Sequence, residues 1–395
     1  MNILLIRPPS PQNYQLHLPL GLAYVAASLL ENGHGVTVWD MDVAPDSVAS
    51  GLENFPPSNS PFDLVGISAL AGDYRHVKKL CGDLNSHLPG VPIVLGGYLA
   101  SALPEFLVRH LPIDAAVIGE GEQTIVELAR TLGNGDGLRR VKGLCYREAD
   151  GRVTVTAPRP RLADLSGLGP PPWDLFPMKS YLDWLPPTDR PDPAEKSPEG
   201  IMSIMASRGC PYDCNYCDHT IKGHRPRYRP VRAVVDEIRL ALEKYGDLIK
   251  TFYFWDDILI WDKGWVRDFC RTIVEEKITI RWSCNGHVNC VEPLLVKQMR
   301  DAGCCNIRFG IESGSQRILD ALNKKVRVET ALESINLCLK AGLSLTLYTM
   351  IGMRGETSQT VGETAEFLKQ VITSASIPLI QRINFFMLTP YPGTR

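Results

Sequence analysis

No apolar run in this sequence reaches the roughly 18 residues that a membrane-spanning helix needs, so no membrane partner is expected. The opening Met1-Asn2-Ile3-Leu4-Leu5-Ile6 lacks the layout of a signal peptide, which makes a cytoplasmic location the expectation. Charge of one sign is lacking too. The 42 basic and 44 acidic residues leave a formal −2, which gives no electrostatic case for nucleic acid or an anionic surface. The 11 cysteines, without secretion signals, read as reduced thiols rather than a disulfide framework. No G-x-G-x-x-G follows the first apolar run, which weakens a dinucleotide reading. What the chain has is length: 395 residues with 44% apolar content suffice for two domains, each with its own core.

In the first part, short apolar runs alternate with helical patterns. Ile3–Ile6, Val36–Trp39, Leu64–Ser68, Ile93–Leu95 and Ala115–Ile118 read as strands, separated by amphipathic stretches such as Leu20–Glu31, Tyr74–Leu88 and Glu122–Leu132. This alternation predicts an α/β, Rossmann-like doubly wound parallel sheet over residues 1–140, with its ligand outside the carboxyl ends of the strands. Those ends carry Pro8-Pro9, Ser68-Ala69-Leu70, Gly96-Gly97-Tyr98 and Gly119-Glu120-Gly121-Glu122, where glycines admit close approach to a bulky ligand. Residues 141–198 read as a hairpin around Asp150-Gly151 followed by a proline-rich connector, extended and clasping both domains through Trp173, Leu175, Phe176, Tyr181 and Trp184.

The second part, 199–395, opens on an apolar run, Ile201–Ala206, and then Ser207-Arg208-Gly209-Cys210-Pro211-Tyr212-Asp213-Cys214-Asn215-Tyr216-Cys217. Three thiols in C-x3-C-x2-C bind a metal without closing its coordination; on an iron–sulfur cubane they leave one iron open for a small molecule. A zinc knuckle completed by His219 is the alternative reading. Further strands at Phe252–Trp255, Ile280–Cys284, Ile307–Ile311, Leu345–Ile351 and Ile383–Leu388, with helices between, predict a partial (β/α)6 barrel whose chemistry lies at the strand ends. Those ends carry Asp256-Asp257, Asn285 near His287, Glu312-Ser313 and Gly352 with Glu356. Singly, each acid is equally a helix cap. The basic run Lys222 to Arg232 reads as solvated surface or as an anion contact beside the array, and Cys304-Cys305, before the fourth barrel strand, as inert thiols.

The array after a first strand resembles the radical S-adenosylmethionine superfamily, and the S-x-L of Ser68–Leu70 with Gly96-Gly97 is similar to cobalamin-binding domains. The resemblance covers essentially the whole chain. It implies a 4Fe-4S cluster on Cys210, Cys214 and Cys217, whose free iron is chelated by S-adenosylmethionine. Contacts to S-adenosylmethionine would come from Tyr216, Asp256, Asp257, Asn285, Glu312, Ser313, Gly352 and Glu356. Cobalamin would lie against Pro9, Ser68, Leu70, Gly96, Gly97, Tyr98, Gly119, Glu120, Gly121 and Glu122. Arg7-Pro8-Pro9-Ser10-Pro11-Gln12-Asn13-Tyr14 stands where D-x-H-x-x-G would supply a histidine to cobalt, and His17 is the nearest candidate, so cobalamin without a histidine lower ligand is expected.

The implied activity is methylation of an unactivated carbon or phosphorus centre of a small, natural-product type substrate: a 5′-deoxyadenosyl radical abstracts hydrogen and methylcobalamin supplies the methyl group. An external electron donor such as flavodoxin or ferredoxin is implied with it. A cobalamin-assisted radical cyclase or oxidative rearrangement enzyme is the alternative, since relatives with the connector Pro171-Pro172-Trp173-Asp174-Leu175-Phe176-Pro177 include cyclases. A cobalamin or redox sensor without turnover is the reading from another class. The chain stops just after the sixth barrel strand, where relatives carry a further helical region, so a covering segment is expected beyond Arg395.

Overall fold

The structure is a computed structural model and describes residues 1–10, 16–43, 62–134, 137–184, 200–221, 223, 225–374 and 379–394. It divides into two compact units, Met1–Ala163 with Gly167–Glu199, and Asp164–Ser166 with Gly200–Arg395.

In the first unit, β1 (Asn2–Arg7), β2 (Gly35–Asp40), β3 (Leu64–Ser68), β4 (Ile93–Gly96) and β5 (Ala115–Val117) pair in parallel in the order β2-β1-β3-β4-β5. Strand alternation decides which core each residue serves. Leu4 and Ile6 join Val65, Ile67 and Leu95 in one core, against α2 (Tyr74–His87), α3 (Gly97–Ala102) and α4 (Pro104–His110). Ile3 and Leu5 join Leu64 and Val94 in the other, against α1 (Leu20–Glu31) and α5 (Glu122–Asn134). A sheet covered on both faces is what makes its strands read as unbroken apolar runs. The strand order reverses between β1 and β3, so a ligand crevice falls between the loops after these two strands.

The predicted hairpin extends this sheet. Strands β6 (Leu144–Arg147) and β7 (Val153–Val155) add antiparallel to β5, with Ala115 opposite Tyr146; Cys145 enters one core and Leu144 and Tyr146 the other. The described connector is not extended throughout: a 3-10 turn at Trp173–Leu175 precedes α6 (Met178–Leu182). Trp173, Phe176 and Tyr181 are buried in the first unit, and the Tyr181 hydroxyl donates to Asp40 at 2.5 Å. Pro186, Pro187, Pro191 and Pro193 lie outside the described residues.

The second unit holds six parallel strands in sequence order: β8 (Ile201–Ile204), β11 (Thr251–Phe254), β12 (Trp282–Gly286), β13 (Cys304–Glu312), β14 (Ser344–Ile351) and β15 (Ile380–Met387). Helices α7 (Val231–Tyr245), α8 (Lys263–Glu275), α9 (Pro293–Asp301), α10 (Gln316–Ala321), α11 (Val328–Lys340) and α12 (Ser358–Ser374) alternate with them. The sheet leaves β8 and β15 as edges, the open form of a barrel. Cys304 and Cys305 begin β13 instead of preceding it, and burial pushes the Cys304 thiol well above its ordinary value.

Between β8 and α7 a two-stranded ribbon, β9 (Ser207–Arg208) and β10 (Arg227–Tyr228), pinches the base of the loop that carries the three-cysteine array. Arg229 fastens this base. Its amide and guanidinium donate to the Ala206 and Met205 carbonyls at 2.7 and 2.8 Å, and it pairs with Glu237 at 2.6 Å, both side chains being almost wholly buried. Arg229 is thus committed internally and does not meet an outside carboxylate or phosphate. Arg232 lies on the surface with Asp236 and Glu276, and Lys222 and His224 of the same basic run lie outside the described residues.

Candidate cluster and cofactor sites

The array occupies an irregular loop whose turns come from its own sequence. Gly209, at φ +109°, takes a conformation that a side chain resists, and the Cys217 amide donates to the Cys214 carbonyl at 3.1 Å. Cys214 is buried, Cys210 and Cys217 half-buried. A hydrogen bond from Cys217 lowers the Cys214 thiol to about 7 against the opposing effect of burial, with the Lys324 ammonium and Tyr216 adding to the lowering. Thiolate character at neutral pH is what a soft metal centre requires, so the donor set fits an iron–sulfur cluster. Thiolates on separate irons need not meet at a point. Among the described residues no three His, Cys, Asp or Glu side chains gather around a single ion, and His219 turns Nε2 to the Cys214 carbonyl at 3.4 Å.

The strand ends bring most of the predicted contacts together. Glu312 closes β13 in a left-handed conformation, φ +65°, and its Oε1 accepts from the Tyr216 hydroxyl at 2.8 Å and from Lys324 Nζ at 2.9 Å. Lys324, which sequence reasoning missed, also donates to the Tyr216 oxygen at 3.0 Å and is 7% exposed. Burial alone would lower its pKa; the Glu312 carboxylate and the Cys214 and Cys217 thiols outweigh that and raise it. Its only sequence signal is a lysine pair after a short helix, which looks like solvated surface.

Asp256 does not face outward as expected. It is 1% exposed, its Oδ1 accepts from Ser207 Oγ at 2.5 Å and its Oδ2 from the Ala206 amide at 3.1 Å, so it braces the start of the cysteine loop. Asn285 lies beside it, its amide donating to the Asp256 carbonyl at 2.9 Å and its Oδ1 accepting from Tyr253 at 2.6 Å. Asp257 is half-buried next in sequence. Ser313 Oγ sits 3.0 Å from Thr364 Oγ1, tying β13 to α12. Glu356 accepts from the Gly352 amide at 2.7 Å and closes its own turn after β14. His287 is buried and stacks on Tyr212 of the loop, ring centroids 3.9 Å apart; burial, with a contribution from Lys324, lowers it to about 3.

Burial pushes the Asp256 carboxyl up to about 6 from an ordinary 3.8. The folded state therefore holds this proton more tightly than the unfolded state. The stability it contributes is complete below 3.8 and is lost as pH rises through about 6. Asp256→Asn, measured on cluster-free chain, should flatten the fall in Tm of the second unit over that window. An unchanged slope would show that Asp256 is ionised throughout.

In the first unit the structure brings Ser68, Ala69 and the glycine pair together. Ser68 lies opposite Gly96 across β3 and β4, and Gly97 opens α3 at φ +84°. A Cβ on Gly97 would stand 2.7 Å from the Ala69 carbonyl oxygen and 3.2 Å from Ser68 Oγ, so only glycine permits this approach. The result is close backbone packing of Gly97 on Ala69 at the sheet's carboxyl edge. Around it stand half-buried Pro9 and Tyr98 and the Leu70 side chain, 55% exposed. Gly119 donates to Ser101 Oγ at 3.0 Å; beyond it Glu120 accepts from the Leu162 amide at 2.7 Å, half-buried Gly121 precedes α5, and Glu122 begins it, buried. At the end of β1, Arg7 donates to the His17 carbonyl at 2.9 Å, in the loop that follows, and pairs with Asp40 and Asp42. Residues 11–15 of that loop lie outside the described set.

Comparison with known proteins matches residues 204–368 to the radical SAM superfamily and residues 13–129 to the B12 binding domain. An uncharacterized methyltransferase of Pyrococcus horikoshii is 33% identical over 408 residues, covering 100% of this chain and 82% of its own. The anaerobic magnesium-protoporphyrin IX monomethyl ester cyclase of Rubrivivax gelatinosus is 24% identical; 95% of this chain spans 64% of that enzyme's length. The solved structure of the radical S-adenosylmethionine methyltransferase TsrM from Kitasatospora setae, with tryptophan substrate and a SAM analogue bound, superposes with a TM-score of 0.80. It does so at 19% identity, over 97% of this chain and 72% of that one, and the likeness is one of fold.

Proposed function

The chain belongs to the cobalamin-dependent radical S-adenosylmethionine enzymes, and from that premise we propose that it is a methyltransferase acting on an unactivated carbon or phosphorus centre of a small, natural-product type molecule. The observation that carries this reading is one chain that joins a three-thiol loop, anchored by Tyr216 on Glu312, to a sheet whose carboxyl edge packs Gly97 against Ser68 and Ala69. When bound, the cluster and S-adenosylmethionine supply a carbon-centred radical, and cobalamin supplies a transferable methyl group. Cys210, Cys214 and Cys217 hold the cluster. Tyr216 and Glu312 fix the loop, and Asp257, Asn285, Ser313, Gly352 and Glu356 line the S-adenosylmethionine side. Ser68, Leu70, Gly96, Gly97 and Tyr98 receive the cobalamin tail, flanked by Pro9 and the Gly119–Glu122 turn. On this reading cobalt takes no histidine lower ligand, because Arg7-Pro8-Pro9-Ser10 stands where D-x-H-x-x-G would supply one. Reducing equivalents come from a flavodoxin or ferredoxin.

The cyclase reading has its own support in the similarity to the Rubrivivax gelatinosus enzyme. Product analysis separates the three readings. Anaerobically loaded protein with cobalamin, S-adenosylmethionine, a strong reductant and candidate acceptors should release both 5′-deoxyadenosine and S-adenosylhomocysteine. Deoxyadenosine without homocysteine product would favour cyclisation, and cofactor binding with neither product would favour a sensor.

A further inference from the structure

The turn after α10, Ala321-Leu322-Asn323-Lys324-Lys325, is built as a seat for the cysteine loop. The Asn215 amide and its Nδ2 donate to the Leu322 and Ala321 carbonyls at 3.0 and 2.9 Å, and Asn323 Nδ2 donates back to the Asp213 carbonyl at 2.6 Å. Asn323 and Lys325 adopt φ of +55° and +58°, a strained pair of conformations for residues with side chains, and Asn289 holds the far end through the Lys325 carbonyl at 2.7 Å. Tyr216 packs on a small core of Ile318, Leu322, Met350 and Met353. The geometry aims the one side chain between the strained positions, Lys324, inward to Tyr216 and Glu312. Loop anchoring alone needs no buried charge here, since a neutral donor would serve the Tyr216 oxygen and spare the desolvation.

We infer that Lys324 is a positioning residue of the cluster site, a fixed cation that holds Tyr216 and stabilises the added negative charge when the cluster accepts an electron, with Glu312 setting its strength. This rests on the cluster assignment above. A cation bonded to Tyr216, which stands between Cys214 and Cys217 in the loop, favours the reduced, more negative cluster and so raises its potential; the Glu312 carboxylate opposes it.

The test is a redox titration followed by electron paramagnetic resonance on reconstituted Lys324→Met, Lys324→Arg and Glu312→Gln, with iron content and circular dichroism recorded alongside. Lys324→Met should make reduction about tenfold less favourable, a fall of about 59 mV for one electron. Glu312→Gln should shift the potential upward, and Lys324→Arg should stay near the parent. If Lys324→Met folds without iron, Glu312→Gln carries the test by itself, an upward shift supporting the inference and a null or downward shift overturning it. Iron-loaded Met and Gln variants that both keep the parental potential, or both move the same way as loosened packing would make them, overturn the inference alone. A parent chain that takes up no iron overturns the cluster assignment and this inference with it.

Discussion

Replacing Cys210, Cys214 and Cys217 together by alanine is expected to abolish iron uptake on anaerobic reconstitution, where the parent should load about four irons and four sulfides per chain. The broad visible absorption should go with it. The fold should persist, because the loop is held by contacts that do not involve the sulfurs: the β9–β10 ribbon, the Arg229–Glu237 pair, Asp256 on Ser207 and Asn215 on the α10 turn. The other eight cysteines contribute nothing to cluster loading, most of them being buried thiols within the two cores. Stoichiometric zinc on the parent chain, or iron retained by the triple variant, would contradict the assignment.

Gly97→Val is expected to remove cobalamin binding, read as loss of cobalamin absorbance after gel filtration, while iron loading stays at the parental level. Two costs add. The backbone at φ +84° resists a β-branched side chain, and the new Cβ meets the Ala69 carbonyl oxygen at 2.7 Å, backbone atoms that cannot swing aside. Moving Ala69 displaces Ser68 as well, so the edge of the sheet proposed to receive the tail is rebuilt. Gly96→Ala is the control. Its Cβ stands 3.8 Å from the Ile67 carbonyl oxygen, an ordinary contact, and binding should survive with a smaller loss. If Gly97→Val retains cobalamin with its fold intact, the tail lies elsewhere.

The sequence announces its strands and helices closely because the first sheet is covered on two faces and the barrel strands alternate with amphipathic helices. Leu64–Ser68 and Leu20–Glu31 are found with the predicted bounds, and most other elements differ by one to three residues at an end. What a linear pattern cannot carry is long-range pairing and burial of charge. The hairpin at 144–155 is legible as a hairpin, but not its addition to the first sheet through β5. Asp256 reads as a ligand contact because it ends a strand; only the turn of the following loop, which brings Ser207 and Ala206 over it, makes it an internal brace. Lys324 is concealed by the opposite effect. Its lysine neighbour suggests solvent, and its inward direction follows from two left-handed residues that no composition rule flags. The cysteine spacing is legible because it is local, whereas Ser68 and Gly97, on separate segments, are paired only by the resemblance to cobalamin-binding domains.

Electron paramagnetic resonance of the reconstituted, dithionite-reduced chain, recorded with and without S-adenosylmethionine, bears most directly on whether the three-thiol loop holds a cluster with one open iron. A reduced 4Fe-4S signal whose g-values shift on adding S-adenosylmethionine, and also with S-adenosylhomocysteine, which keeps the chelating amino and carboxylate groups, is the predicted result. A signal indifferent to both, or no paramagnetic iron at all in well-folded protein, would contradict it.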